Sequence, residues 1–219
     1  MKTQALANHF EKINAKWFFL IVCLLYIVSS FILNVFVITD NLYYNALGEQ
    51  LSAERISRIF EIREKFSWIN YVILPLLVAL KLVLVSFSLN IGALVFGHNI
   101  SFAKLFKITV IAEVIFLLAD LSKMAYFLMY PPHTLQEINN FYPLSLVNLF
   151  NIKEVASWLI YPLQQFNVFE FFYWLALALG LKTVLNKGYS SMLKMVASSY
   201  GVGLIIWLLL IMFLTISNG

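Results

Sequence analysis

Apolar positions along this chain run together in long blocks, and polar positions collect between them. Five blocks, at 17–39, 68–95, 108–130, 168–185 and 192–216, have the length of a helical membrane crossing, which takes about 17 to 25 apolar residues. A lone span can satisfy its backbone in lipid only as a helix. The pattern therefore predicts an all-α integral membrane protein, with five transmembrane helices making one domain over 1–219. The first block follows Lys2, Lys12 and Lys16, as a signal peptide would begin. It is too long for a signal-peptide core and lacks a small-residue cleavage site, so an uncleaved anchor is expected.

Shorter periodicities add two helices outside the spans. In 51–66, Leu51, Ile56, Ile59, Phe60 and Phe66 approximate helical spacing, and Glu54 with Arg58 and Glu61 with Lys65 stand i,i+4 in acid-first order. An amphipathic helix feeding the second span follows. In 151–163, Asn151 resembles an N-cap and Ile152, Val155, Ala156, Leu159 and Leu163 repeat at helical spacing, with Pro162 limiting the helix. Trp158 and Tyr161 suit the headgroup layer, so this helix is expected to lie on the outer membrane surface. Pro131 and Pro132 end the third span.

Composition narrows the class further. The 219 residues are 62% hydrophobic and only 12% charged, against about 25% charged in ordinary soluble domains. A soluble enzyme and a disulfide scaffold are excluded, the latter because Cys23 is the single cysteine. The net charge of +4 is dispersed over short segments, so no basic patch for nucleic acid forms. Lys2, Lys12, Lys16, Lys104, Lys107, Lys182, Lys187 and Lys194 fall on one side of a five-span topology. The positive-inside rule makes that side the cytoplasm, with the N-terminus inside and the C-terminus outside. The opposing segment 40–67 holds Arg55, Arg58, Arg63 and Lys65 but also Asp40, Glu49, Glu54, Glu61 and Glu64.

No catalytic constellation emerges. His9, His98 and His133 lie in separate polar segments without a second ligand at metal spacing. No nucleophile elbow or phosphate loop occurs, and no cofactor or metal is expected. The unusual residues are charges inside the spans: Lys81 in the second, and Glu113, Asp120 and Lys123 in the third. Each costs about 2.5–3.5 kcal/mol at mid-span unless partnered. Helical rise puts Lys81 and Asp120 within about 5 Å in depth, so that pair is expected to be coupled, with Glu113 deeper toward the cytoplasm. The network reads as a structural ion network that pairs the second and third helices, as a proton, ion or headgroup pathway, or as a docking site for another subunit's helix. Glu170, near the outer end of the fourth span, is expected to be hydrated. Ala176 with Gly180, Ala197 with Gly201 and Ser199 with Gly203 place small residues four apart, a spacing that brings helix backbones close. Because the link 186–191 is short, these are expected to pack the last two spans together.

The C-terminal third carries a family resemblance. Phe141-Tyr-Pro-Leu-Ser-Leu146, Ser157-Trp158-Leu159, Asn167-Val-Phe-Glu-Phe-Phe-Tyr-Trp174, Leu179-Gly180-Leu181 and Gly188-Tyr-Ser190 before a last apolar span resemble the Yip family of five-span membrane proteins. The Asp-Leu-Tyr-Gly-Pro motif of its eukaryotic members is absent ahead of the first span, so binding of a Rab-type GTPase is not implied. The resemblance implies a non-enzymatic, membrane-organising or partner-binding subunit of a membrane complex, and the many Ile, Phe, Asn and Lys residues with short loops suit a bacterial inner membrane. Membrane lipids and a protein are its expected partners. The alternative is a transporter, channel or lipid-translocating protein using the charged path.

Overall fold

The computed structural model describes residues 10–39, 42, 44 and 52–218. Helix α1 (Ala15–Ile32) starts where the Asn14 side chain accepts from the amides of Lys16 and Trp17, occupying donors that a helix start leaves open. It runs into a π-turn at Leu33–Val37, where Arg63 donates a 2.6 Å hydrogen bond to Asn34 Oδ1. Helix α2 (Ala53–Val95) is one element of 43 residues. The amphipathic stretch and the second span are thus continuous, although Leu51 lies outside the described residues. Gly97, at φ +68°, ends α2 by letting the His98 amide donate back to the Ala93 carbonyl, a turn open to a residue without a Cβ.

The third apolar block departs from expectation, because it is divided rather than continuous. Helix α3 (Phe102–Ala112) and helix α4 (Val114–Met129), of 11 and 16 residues, flank an irregular position at Glu113. Backbone bonding continues on both sides, from the Glu113 amide to Thr109 and from the Leu117 amide to Glu113. One turn earlier the Thr109 hydroxyl donates to the Phe106 carbonyl, a back-bond that bends helices.

Helix α5 (Leu135–Asn140) is capped by the Thr134 hydroxyl on the Glu137 amide. The helix expected from Asn151 begins instead at Ser157, as α6 (Ser157–Gln165), with Pro162 inside it. Asn151 spends its side chain locally: its Nδ2 donates to Glu154 Oε1 and its Oδ1 accepts from the Lys153 amide. Such a closed turn competes with helix initiation. Helix α7 (Val168–Leu185) starts at Asn167, whose Oδ1 takes the Glu170 amide at 2.7 Å, and stops at Asn186 in the left-handed region. Helix α8 (Tyr189–Val196), a π-turn at Ala197–Gly201 and helix α9 (Val202–Asn218) follow without a gap.

The described residues contain helices and turns but no strand, so the fold is all-α. Among the described residues, four helical stretches are long and apolar enough to cross a membrane: Ala15–Val37, Lys65–Val95, Val168–Leu185 and Tyr189–Ser217. Their outward faces carry exposed Leu20, Leu24, Val28, Leu76, Leu80, Ile205, Leu209 and Phe213. An apolar surface of that extent is stable against lipid and not against water.

The core lies where α2, α3, α7 and α8 meet. Leu89 and Ala93, Leu105 and Ile108, Leu177 and Leu181, and Met192 and Met195 fill it. A smaller cluster of Val37, Leu42, Phe127 and Ile138 closes the opposite end. The α3–α4 segment supplies residues to both clusters and so runs the length of the bundle.

Candidate functional site

Helices α2 and α3 pack side by side, and the buried Ser86 and Thr109 hydroxyls meet across them at 2.9 Å. That contact sets an antiparallel register: counting back from Ser86 to Lys81 and on from Thr109 to Glu113 covers nearly the same rise. Lys81 Nζ donates to Glu113 Oε1 at 2.8 Å, where coupling to Asp120 was expected. Asp120 sits two turns further on, about 10 Å away by helical rise, on helix α4, which packs on α1 and α7. There it lies near Ser29 and Lys123. The Ser29 hydroxyl is fully buried and reaches no partner at hydrogen-bond geometry among the described residues.

Around the ion pair the site is aromatic. Tyr26 of α1 donates to the same Glu113 Oε1 at 3.1 Å. Lys81 Nζ stands 3.6 Å from the centre of the Phe116 ring and 5.6 Å from that of Tyr173, a cation–π arrangement strengthened by the lack of water. Glu113 is 1% exposed, whereas 38% of the Lys81 side chain remains open. Three buried polar atoms find no hydrogen-bond partner among the described residues: Glu113 Oε2, the Tyr173 hydroxyl and the Ser29 hydroxyl.

Glu170 corrects the sequence reading in a second respect. It is not hydrated but 7% exposed, and its Oε1 accepts from Trp174 Nε1 at 2.7 Å and from the Tyr200 hydroxyl at 2.8 Å. The preceding loop is tied down at the same end of α7. The Leu146 amide donates to Phe166, the Val168 amide donates to Leu144, and Ser145 pairs with Asn167. Tyr142 belongs to that loop, and burial, followed by the Glu170 charge, pushes its phenol above the ordinary range.

The small residues pack within the chain, but mostly against other partners than expected. A Cβ on Gly180 would come within 2.6 Å of Ile108 on α3, and one on Gly201 within 2.6 Å of the Trp174 ring on α7. Ser199 fills the space above Gly92 of α2, and Gly203 faces Ser88 of the same helix. Ala176 lines an outward groove of about 600 Å³ with Ile115, Leu118, Phe172 and Leu175, while Ala197 is exposed. Gly201 joins the last two spans through Trp174, and Ala176 shares its groove with Tyr189 of α8. Ser88 and Gly92, four apart in α2, are the sequence signal for the missing half of the interface.

Tyr26, Tyr173 and Tyr200 also escaped the sequence reading. Each is a hydroxyl placed well inside an apolar block rather than at its edge, where a tyrosine usually has a polar partner to meet. Cys23 is a buried free thiol. Among the described residues no group of three or more His, Cys, Asp or Glu side chains comes together to hold a metal; His9 lies outside them.

Fold and site together define an all-α integral membrane protein with charges clustered inside the bundle. Family models, curated proteins and solved structures offer no match to the chain.

Proposed function

We propose that this chain is a non-enzymatic, Yip-like subunit of a membrane complex, which organises a bacterial inner membrane by holding a protein partner. The observation that carries the proposal is the arm of α2. The candidate span begins at Lys65, and α2 starts at Ala53, so about three helical turns extend past the span. Ile56 of that arm is buried. Ile59, Ile62 and Phe66 are exposed on another face, flanked on one side in the helical projection by Arg58 and Lys65, with Arg55 falling between Ile62 and Phe66. An apolar stripe of this kind fits a partner segment with an apolar face. Small residues turned inward leave the partner to be met on this arm rather than along a glycine seam.

Five crossings, an inner N-terminus and an outer C-terminus belong to the same proposal. Support comes from the α3–α4 segment, which reaches the cores at both ends of the bundle despite its interruption at Glu113. The test is co-purification in mild detergent of the intact chain and of Ile62→Glu. The proposal expects a stoichiometric partner that the substitution removes while helix content stays the same; equal recovery from both proteins would oppose it.

Transport along Lys81, Glu113 and Asp120 is the second reading, favoured by the unpartnered Glu113 Oε2. It predicts flux in liposomes that Asp120→Asn abolishes.

A further inference from the structure

The outward groove beside Ala176 has no part in the ion-pair site. It lies between α4 and α7, lined by Ile115, Leu118, Ala176 and Leu179, with Tyr189 of α8 at its side. Along α7 it runs from Phe169 to Leu179, about 15 Å by helical rise, or about half the hydrocarbon thickness of a bilayer. Because α7 is one of the candidate spans, the groove opens where lipid chains lie. The hydroxyl that reaches it is already occupied, since Tyr189 donates to the Leu175 carbonyl at 3.3 Å. An occupant therefore meets little but hydrocarbon. Size decides which kind of occupant enters. About 600 Å³ spread over about 15 Å leaves a mean cross-section of about 40 Å², half of what a helix about 10 Å across with its side chains requires. Acyl chains fit this space and a helix does not.

The two ends of the groove differ in charge. Lys182 stands seven residues after Leu175, on the same side of α7 and one turn beyond Leu179. Lys187 precedes Tyr189 by two residues. Among the described residues neither lysine has a carboxylate within ion-pair distance. At the Phe169 end α7 brings Glu170, whose carboxylate already accepts from Trp174 and Tyr200. A negatively charged headgroup thus finds free cations at the Lys182 end, from which its chains can run toward Phe169. Lysines near a span end carry their ammonium groups out to the headgroup level on long stems, and basic sites between transmembrane helices hold anionic headgroups.

We propose that this groove binds one anionic glycerophospholipid, of the phosphatidylglycerol class, with its acyl chains against Ala176 and its phosphate at Lys182 and Lys187. A small residue at position 176 keeps the groove deep enough for the chains. The site shares no residue with the arm of α2, so it stands whether or not that arm holds a partner.

Native mass spectrometry of the full chain, released from nanodiscs holding equal amounts of phosphatidylglycerol and phosphatidylcholine with the same acyl chains, tests this. The unaltered protein should retain one phosphatidylglycerol in preference to phosphatidylcholine. Lys182→Gln with Lys187→Gln should lower that preference by about fivefold for each lysine removed. Lys194→Gln, on the far side of α8 from Tyr189, should leave it unchanged. Ala176→Trp fills the groove and should release the lipid although both lysines remain; if that protein does not fold, the lysine variants decide. Equal retention of the two lipids would overturn the proposal. So would an equal loss in Lys194→Gln, which would reduce the effect to diffuse attraction. A dimer that forms in place of the lipid adduct and disappears in Ala176→Trp would also overturn it, identifying a second copy of the chain as the occupant.

Discussion

Glu113 is the residue on which three parts of the bundle depend. Its Oε1 receives Lys81 of α2 and Tyr26 of α1, and its own backbone joins α3 to α4. A buried carboxylate with two donors is tolerable; one that has lost its cation is not. Lys81→Met should therefore lower stability in detergent by about 3 kcal/mol, read as a shift in the unfolding midpoint. Lys81→Met with Glu113→Leu removes the orphaned charge and should recover most of that loss. Additive losses in the double-mutant cycle would mean that the pair is not coupled. The sequence showed that charges stood in the spans but not which would meet. Depth along separate helices favoured Asp120, whereas the register that selects Glu113 is set by Ser86 and Thr109, two residues too ordinary to attract notice in an apolar run. Glu170 was misjudged for a related reason: its distance from the end of the span says nothing about the Trp174 and Tyr200 donors that meet its carboxylate.

At the scale of elements, the apolar blocks located the helices well because span length is imposed by the bilayer. They could not reveal the division at Glu113, since an interruption of the helix leaves hydropathy unchanged. Nor could they show that Asn151 would close a turn on Glu154 instead of starting a helix. The π-turn at Ala197–Gly201 inserts its extra residue where the last helix meets α2 and α7, bringing Ser199 to Gly92 and Gly201 to Trp174. Gly92→Ala places a methyl group 2.6 Å from Ser199 Cβ, and overpacking of that kind costs about 1–3 kcal/mol. Ser199→Gly in the same chain should return part of the loss, the remainder reflecting the flexibility of a new helical glycine. Thermal unfolding of the two variants measures this, and an unchanged midpoint for Gly92→Ala would show that α2 and the last helix do not approach as closely as described.

For the whole molecule, the central claim is that the α3–α4 segment crosses the membrane despite its interruption at Glu113. With it the bundle has five crossings and its ends on opposite sides; without it there are four and the ends share a side. His98 precedes this segment and His133 follows it, so their accessibility distinguishes the alternatives directly. In a Cys23→Ala background, which removes the single native thiol, cysteines placed singly at positions 98 and 133 would be exposed to a membrane-impermeant maleimide in intact cells. The account predicts that the cysteine at 133 reacts from outside and the one at 98 only after permeabilisation. Labelling of both from the same side would contradict it, making 102–129 a segment that enters the membrane and returns.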